Sequence, residues 1–413
     1  MLKLVKSGLS TFVLLTVISP LLFGYGKTWK GVELEWLVKQ AGFKLGPFRV
    51  KTVFILNDAG YDSNVYRMPD HPVKDYSFTA GPALTFYLPI QKKVVFSIYE
   101  SPRYVYFFET KQERTWNNSL LGRIQFALNR VFLSAEAGFA VSREIWSTEI
   151  DIRPQRRAAA ASASILWQPS KKTSFSLEAR ESQFKYEDLS YREVNLPVTL
   201  NHSEQYLDAT AFYQISYRFR ARIEAEYGRF VFDNPANPRN SESRSIFGGF
   251  DFGPGGIVEG RVRLGLKYFR ASGTESGDYR GLVGDSTVGI RLGSMIRLRA
   301  SYVRDVRFSM WAGYVYFIEN TAGAGVSIYL SRNIRLDYDY NLGDFKYPRI
   351  SGDGLGLIRS RNDQVQVHRA GIYLRIQKNI GLGIIANLWR RNSTEDWLKS
   401  ERTFIGTNLT YDF

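Results

Sequence analysis

The run Arg218-Phe219-Arg220-Ala221-Arg222-Ile223-Glu224-Ala225-Glu226-Tyr227 alternates without a break, odd positions apolar and even positions charged. On a helix of 3.6 residues per turn those charges would be smeared around the whole circumference, whereas a strand sends successive side chains to opposite faces. The run therefore reads as a strand with one greasy face and one wet face. Arg261 to Tyr268 (RVRLGLKY) and Ile334 to Tyr340 (IRLDYDY) repeat the pattern.

Outward from these three, the same period marks eighteen strands: 47–58, 76–89, 92–108, 113–128, 130–146, 156–168, 171–187, 203–216, 218–233, 242–251, 257–271, 282–292, 295–308, 319–330, 333–346, 363–376, 379–391 and 402–413. Their connections alternate between tight, as at Pro89–Lys92, Leu128–Val131 and Gln377–Asn379, and mostly long, as at 59–75, 188–202 and 347–362. If neighbours pair, every tight turn falls at one rim and the longer loops at the other. Such two-ended sorting belongs to outer-membrane barrels, and lipid leaves open sheet edges unsatisfied, so a spanning sheet must close. The expected fold is all-β: a closed antiparallel up-and-down transmembrane β-barrel of about 18 strands, with 16 as the alternative. A soluble propeller would carry a repeat period, and the chain has none.

The two ends of the chain agree with this compartment. Lys3 and Lys6 precede an apolar run from Leu9 to Phe23, and Gly24-Tyr25-Gly26 offers small residues for cleavage, so 1–26 reads as a secretory signal. A leader follows over 27–46, in which Leu34, Leu37, Val38 and Ala41 share a helical face that could tuck into the barrel or meet a periplasmic export partner, a flexible leader being the equal alternative. The barrel is assigned to 47–413. In the last strand Ile405, Thr407, Leu409, Tyr411 and Phe413 lie on one face; ending on Leu409, Tyr411 and Phe413 resembles the signal read by the barrel-assembly machinery.

Composition narrows the chemistry. The 413 residues hold no cysteine and three histidines, which excludes thiol catalysis and cysteine or histidine-rich metal centres; no cofactor and no metal is expected. The charge of +15 is spread along the chain and, in a barrel, points to anionic solutes and to outer-membrane lipid rather than to nucleic acid. Positions opposite the apolar ones would line a hydrated lumen, since burying so many polar groups dry is prohibitive. Arginine dominates them: Arg218, Arg220, Arg222, Arg261, Arg263, Arg297, Arg299, Arg335 and Arg375, with Lys267. These either form a basic ladder for carboxylate, sulfate or phosphate groups, or pair with Glu224, Glu226, Glu259 and Asp285 to brace the wall. Tyr99, Phe212, Tyr373 and Trp389 fall on the same face and could stack on sugar rings or fill space.

Leu45-Gly46-Pro47-Phe48, followed by a strand and then Gly60-Tyr61-Asp62-Ser63-Asn64-Val65, resembles the start of a family of outer-membrane β-barrel porins that accompany exopolysaccharide machinery. The resemblance implies a passive export conduit for polysaccharide, with loops 59–75, 188–202 and 347–362 narrowing the exit and the driving energy supplied elsewhere. Within the motif, Asp62, Ser63 and Asn64 are turn formers, Gly60 permits an unusual backbone angle, and a structural role outweighs a ligand role. A general diffusion porin for small anionic solutes is the first alternative. An outer-membrane hydrolase or a non-conducting structural barrel is the second, although His368 has no serine motif beside it and Asp337 and Asp339 sit next to Arg335.

Overall fold

Alternation becomes architecture in eighteen strands that follow one another around a single ring. A computed structural model describes Leu34, Val38, Lys39 and residues 41–91, 93–191, 194–253, 256–271, 278–311, 314–348 and 360–413; the expected signal segment 1–26 lies outside the described residues. The strands are β1 (Phe48–Asp62), β2 (Asp75–Ile90), β3 (Val94–Glu100 and Arg103–Phe107, interrupted at Ser101-Pro102), β4 (Thr115–Ala127), β5 (Val131–Arg143), β6 (Gln155–Trp167), β7 (Thr173–Tyr186), β8 (His202–Ser216), β9 (Phe219–Phe232), β10 (Ser241–Phe252), β11 (Val258–Ala271), β12 (Tyr279–Leu292), β13 (Ile296–Phe308), β14 (Tyr316–Tyr329), β15 (Ile334–Tyr347), β16 (Arg361–Arg375), β17 (Ile380–Ser393) and β18 (Ser400–Asp412). Each pairs antiparallel with the next, and β18 returns to β1 from Val53↔Asp412 to Asp62↔Phe404, so the sheet has no free edge. Among the described residues no helix is long and apolar enough to cross a membrane.

Burial assigns the faces. On β9, Ile223 is 64 % exposed while its neighbours Arg222 and Glu224 are 7 % and 4 % exposed. Leu264, Leu266, Ile246, Leu282, Ile384 and Ile405 are exposed outward in the same way, while neighbours such as Lys267, Ser245 and Phe247 are buried on the inner side. The outer surface is thus an apolar belt and the inner one a polar wall, the inverse of a soluble core, as lipid requires. All tight turns, together with Phe413, lie at one rim. There Phe43–Leu45 folds back on Phe48–Val50 through Gly46-Pro47, with Gly46 at φ 56°, a left-handed angle that suits a two-residue hairpin turn and that glycine adopts freely.

Two of the boundaries that moved have a local cause. β1 continues to Asp62, past a bulge at Asn57-Asp58 where Asp58 takes φ 53°, so the loop shortens to 63–74. β14 starts at Tyr316, because the aromatic segment before it packs inward: Val315 and Tyr316 bury against Phe269, Ala271 and Val306.

Candidate functional site

The polar wall is a lattice of ion pairs. Asp251, fully buried, accepts from Arg220 (2.8 Å), Arg222 (3.5 Å) and Arg261 (3.3 Å). Glu224 takes Arg222 and Arg263, and Asp285 takes Arg263 as well. Lys267 meets Asp305 at 2.6 Å, Arg297 meets Glu259, Arg299 meets Asp339 at 2.7 Å and Arg335 meets Asp337 at 2.9 Å. Neighbouring strands put opposite charges side by side, and cross-strand pairing of this kind fixes register while cancelling charge. Of the two arrangements open to these arginines, the basic ladder and the braced wall, the ion pairs favour the braced wall. Asp208, Glu224 and Glu226 also bring carboxylate oxygens within 4.8 Å of one another.

Two of the expected lumen cations lie at the turn rim. Arg218 is exposed in the turn between β8 and β9, and Arg375 closes β16, donating to the Lys378 carbonyl at 3.1 Å. The aromatics are capped by arginines rather than left open: Arg220 sits 4.0 Å from the Phe212 ring centre, Arg335 4.5 Å from Tyr373 and Arg67 4.5 Å from Trp389. One face of each ring serves a cation–π contact, which favours the space-filling role over stacking on sugars for these three. Tyr99 is half-buried opposite Thr85.

The motif stitches the barrel shut. Gly60 lies opposite Gly406, where a Cβ would collide with the Ile405 carbonyl; glycine is needed here for close approach, and the unusual backbone angle falls on Asp58 instead. Tyr61 points outward and packs on Tyr76 at 5.4 Å. Asp62 receives Arg402 (2.6 Å), Ser63 exchanges bonds with Thr403 (2.9 and 2.8 Å), and Asn64 donates to the Glu401 carbonyl (3.0 Å), so successive residues of one end grip successive residues of the other. Val65 is buried against Val105 and Phe107. Asn64 also clamps Met68 through both its amide oxygen and its amide nitrogen (2.9 and 2.8 Å), curling the loop so that Arg67, at φ 56°, lands on Trp389. Burial pushes the Arg67 guanidinium down to about 9, and Arg402 and Arg391 nearby push the same way.

The narrowing of the lumen comes from a loop the sequence reading passed over. Residues 144–154, between β5 and β6, reach across the barrel. Glu149, 1 % exposed, accepts from Ser309 Oγ (2.6 Å) and the Met310 amide (2.8 Å), and its carbonyl takes Trp311 Nε1 (3.0 Å). Those partners follow β13, eight strands from β5 in an eighteen-strand ring and thus almost opposite. On another side Arg391 of β17, 1 % exposed, donates to the carbonyls of Thr148 and Leu398 and to Asp151 at 2.7 Å. Burial holds the Glu149 carboxyl above the usual range, against the lowering effect of its two hydrogen bonds. Loop 187–201 joins from beside: Leu196 and Leu200 of a short helix, α1 (Leu196–Leu200), pack with Trp146 and Ile150. Expected loop 188–202 thus does contribute, loop 63–74 contributes through Arg67, and most of 347–362 lies outside the described residues. Trp146, Ile150 and Ile152 were the available signal, apolar residues in a connection that would otherwise be polar.

A cavity of about 260 Å³ adjoins this narrowing, lined in part by Arg156, Arg180, Glu204, Tyr206, Glu226 and Lys267. At the other end of the lumen Leu34, 2 % exposed, and Val38 pack on inward-facing Tyr87, Val95, Phe132, Leu166 and Phe212. Leu34 and Val38 of the expected leader thus sit inside the barrel; Leu37 lies outside the described residues.

Taken together, an apolar outer belt, a closed eighteen-strand ring and a charge-lined interior crossed by a loop define a closed β-barrel of the outer-membrane kind. No family model and no curated relative matches the chain. Among solved structures it is similar to a BenF-like porin from Pseudomonas fluorescens Pf-5 (TM-score 0.51, 10 % identity, 89 % of this chain and 99 % of that one). It is similar also to OccK5 (OpdH) of Pseudomonas aeruginosa (TM-score 0.50, 13 % identity, 89 % and 98 %). The siderophore receptor PirA of Pseudomonas aeruginosa follows at TM-score 0.46 and 8 % identity, over 88 % of this chain and 80 % of that one. At these identities the likeness is one of fold.

Proposed function

We propose that the chain is a passive outer-membrane diffusion channel for small hydrophilic solutes, with a preference for anions set at the narrowing. The observation that carries this is Arg67. A loop delivers it onto Trp389, beside Arg391 and Arg402, and among the described residues it has no carboxylate within 4 Å, whereas Arg391 and Arg402 are matched by Asp151 and Asp62. Ion pairs compensate much of the charge on the wall, and the preference is assigned to Arg67, a cation at the narrowing with no carboxylate within 4 Å among the described residues. The test is the reversal potential across a planar bilayer under a salt gradient. Arg67→Gln should lower the chloride-to-potassium permeability ratio, and an unchanged ratio would refute the assignment.

Export of exopolysaccharide is a second reading, favoured by the circumference: eighteen strands enclose a lumen wide enough for a hydrated polymer once the crossing loops swing aside. Its test is surface polysaccharide in a deletion strain, where normal secretion would remove it.

A further inference from the structure

On the outer wall, the apolar belt gives way at the long-loop end of β9 to β12 to four arginines. Arg229, Arg244, Arg270 and Arg280 are all exposed, and all occupy the outward alternate positions above Ile223, Ile246, Leu266 and Leu282 respectively. Register ties them into one patch: Glu242 lies opposite both Arg229 and Arg270, and Tyr268 lies opposite both Arg244 and Arg280. Elsewhere along this rim several outward charges pair with one another: Lys185 with Asp233, Lys346 with Asp344 and Arg390 with Glu401. Here, among the described residues, none of the four arginines has a carboxylate within 4 Å; Glu242 and Asp278 are the acids nearby, and Asp278 is taken by the Tyr268 hydroxyl at 2.9 Å.

We propose that this patch is a binding site for phosphorylated saccharolipid headgroups of the outer leaflet. Its height, where lipid-facing side chains change from aliphatic to tyrosine and arginine, is that of the headgroups rather than of acyl chains or bulk solvent. Guanidinium groups match phosphate oxygens in a bidentate way, and in the low-dielectric interface their unmatched charge needs an anion. The headgroups are the anions present at that height at high local concentration. The site lies on the opposite face of the wall from the lumen, so it is independent of the channel reading.

The test uses the full-length protein in vesicles containing bisphosphorylated lipid A, extracted into detergent and weighed by native mass spectrometry for retained lipid. R229Q/R244Q/R270Q/R280Q should lose the retained lipid while its conductance stays that of the parent; each arginine contributes about fivefold in retention, so R270Q/R280Q alone should show a loss of about 25-fold. Independently of any variant's folding, the parent protein should retain lipid A stripped of both phosphates far more weakly. Equal retention of the stripped lipid, equal retention by the variants, or displacement of the lipid by millimolar inorganic phosphate would each overturn the proposal.

Discussion

Arg391→Gln removes the latch that holds the crossing loop. The guanidinium sits at 1 % exposure and ties Thr148 and Asp151 of that loop to Leu398 between β17 and β18. Losing it takes from the buried Asp151 carboxylate the guanidinium at 2.7 Å, and breaking a buried pair in this way costs about 3–5 kcal/mol. What remains is the Glu149 anchor: bonds from Ser309 and Met310 to its carboxylate, worth about 1.5–3 kcal/mol each, and one from Trp311 to its main-chain carbonyl, worth about 0.5–1.5 kcal/mol. The loop should therefore stay docked for most of the time while its undocked population rises by about a hundredfold to several thousandfold. In single-channel records this would appear as bursts to a larger conductance that the parent rarely visits. D151N added to R391Q should suppress the bursts in part, because it removes the charge that the guanidinium had met. If R391Q, shown to be folded by its heat-modifiable migration, has the same conductance levels and the same open-channel noise as the parent, the latch reasoning is wrong.

Other consequences follow from the same contacts. Asp62→Asn breaks the ion pair with Arg402 that joins first and last strands, and urea unfolding in vesicles should register a loss of about 3 kcal/mol, far above that for an exposed outward pair such as Glu401→Gln. Because burial raises the Glu149 carboxyl pKa in the docked loop above its value in the free loop, docking is fully favoured below the free-loop pKa and weakens as pH rises through the docked one. Bursts in R391Q should thus grow more frequent from pH 5 to pH 8, and the dependence should flatten in R391Q/E149Q. Leu34→Asp puts a charge into the apolar seat formed by Tyr87, Val95, Phe132, Leu166 and Phe212; the leader should come away, raising conductance and exposing the segment to added protease.

The wall was legible because its information is local. The alternation around Arg218 to Tyr227 identifies strand, face and partner face at once, since one residue of slip would turn Ile223 into the lumen and Glu224 into lipid. Boundaries moved where a feature other than alternation governed them: the bulge at Asp58 carried β1 on through Gly60, and inward packing of Tyr316 drew β14 forward. Composition alone could not say whether the arginines were free, because pairing depends on which side chains meet across strands; Asp251, not singled out beforehand, proved to hold three of them. The crossing loop was illegible for a similar reason. Glu149 and Ser309 are 160 residues apart, and nothing in either segment names the other. Arg67 is the middle case: Asn64 was recognised as a turn former, but only the closed barrel shows that the turn ends on Trp389.

The central claim is that one face of every strand meets lipid and the other meets a water-filled lumen. The chain has no cysteine, so single-cysteine substitutions at each position from 219 to 227 can be probed in vesicles with a membrane-impermeant thiol reagent and a lipid-confined quencher. Even positions should react with the aqueous reagent and odd positions should respond only to the quencher, a strict period of two. Aqueous labelling at both parities, or quenching at neither, would contradict a lipid-embedded, two-faced wall.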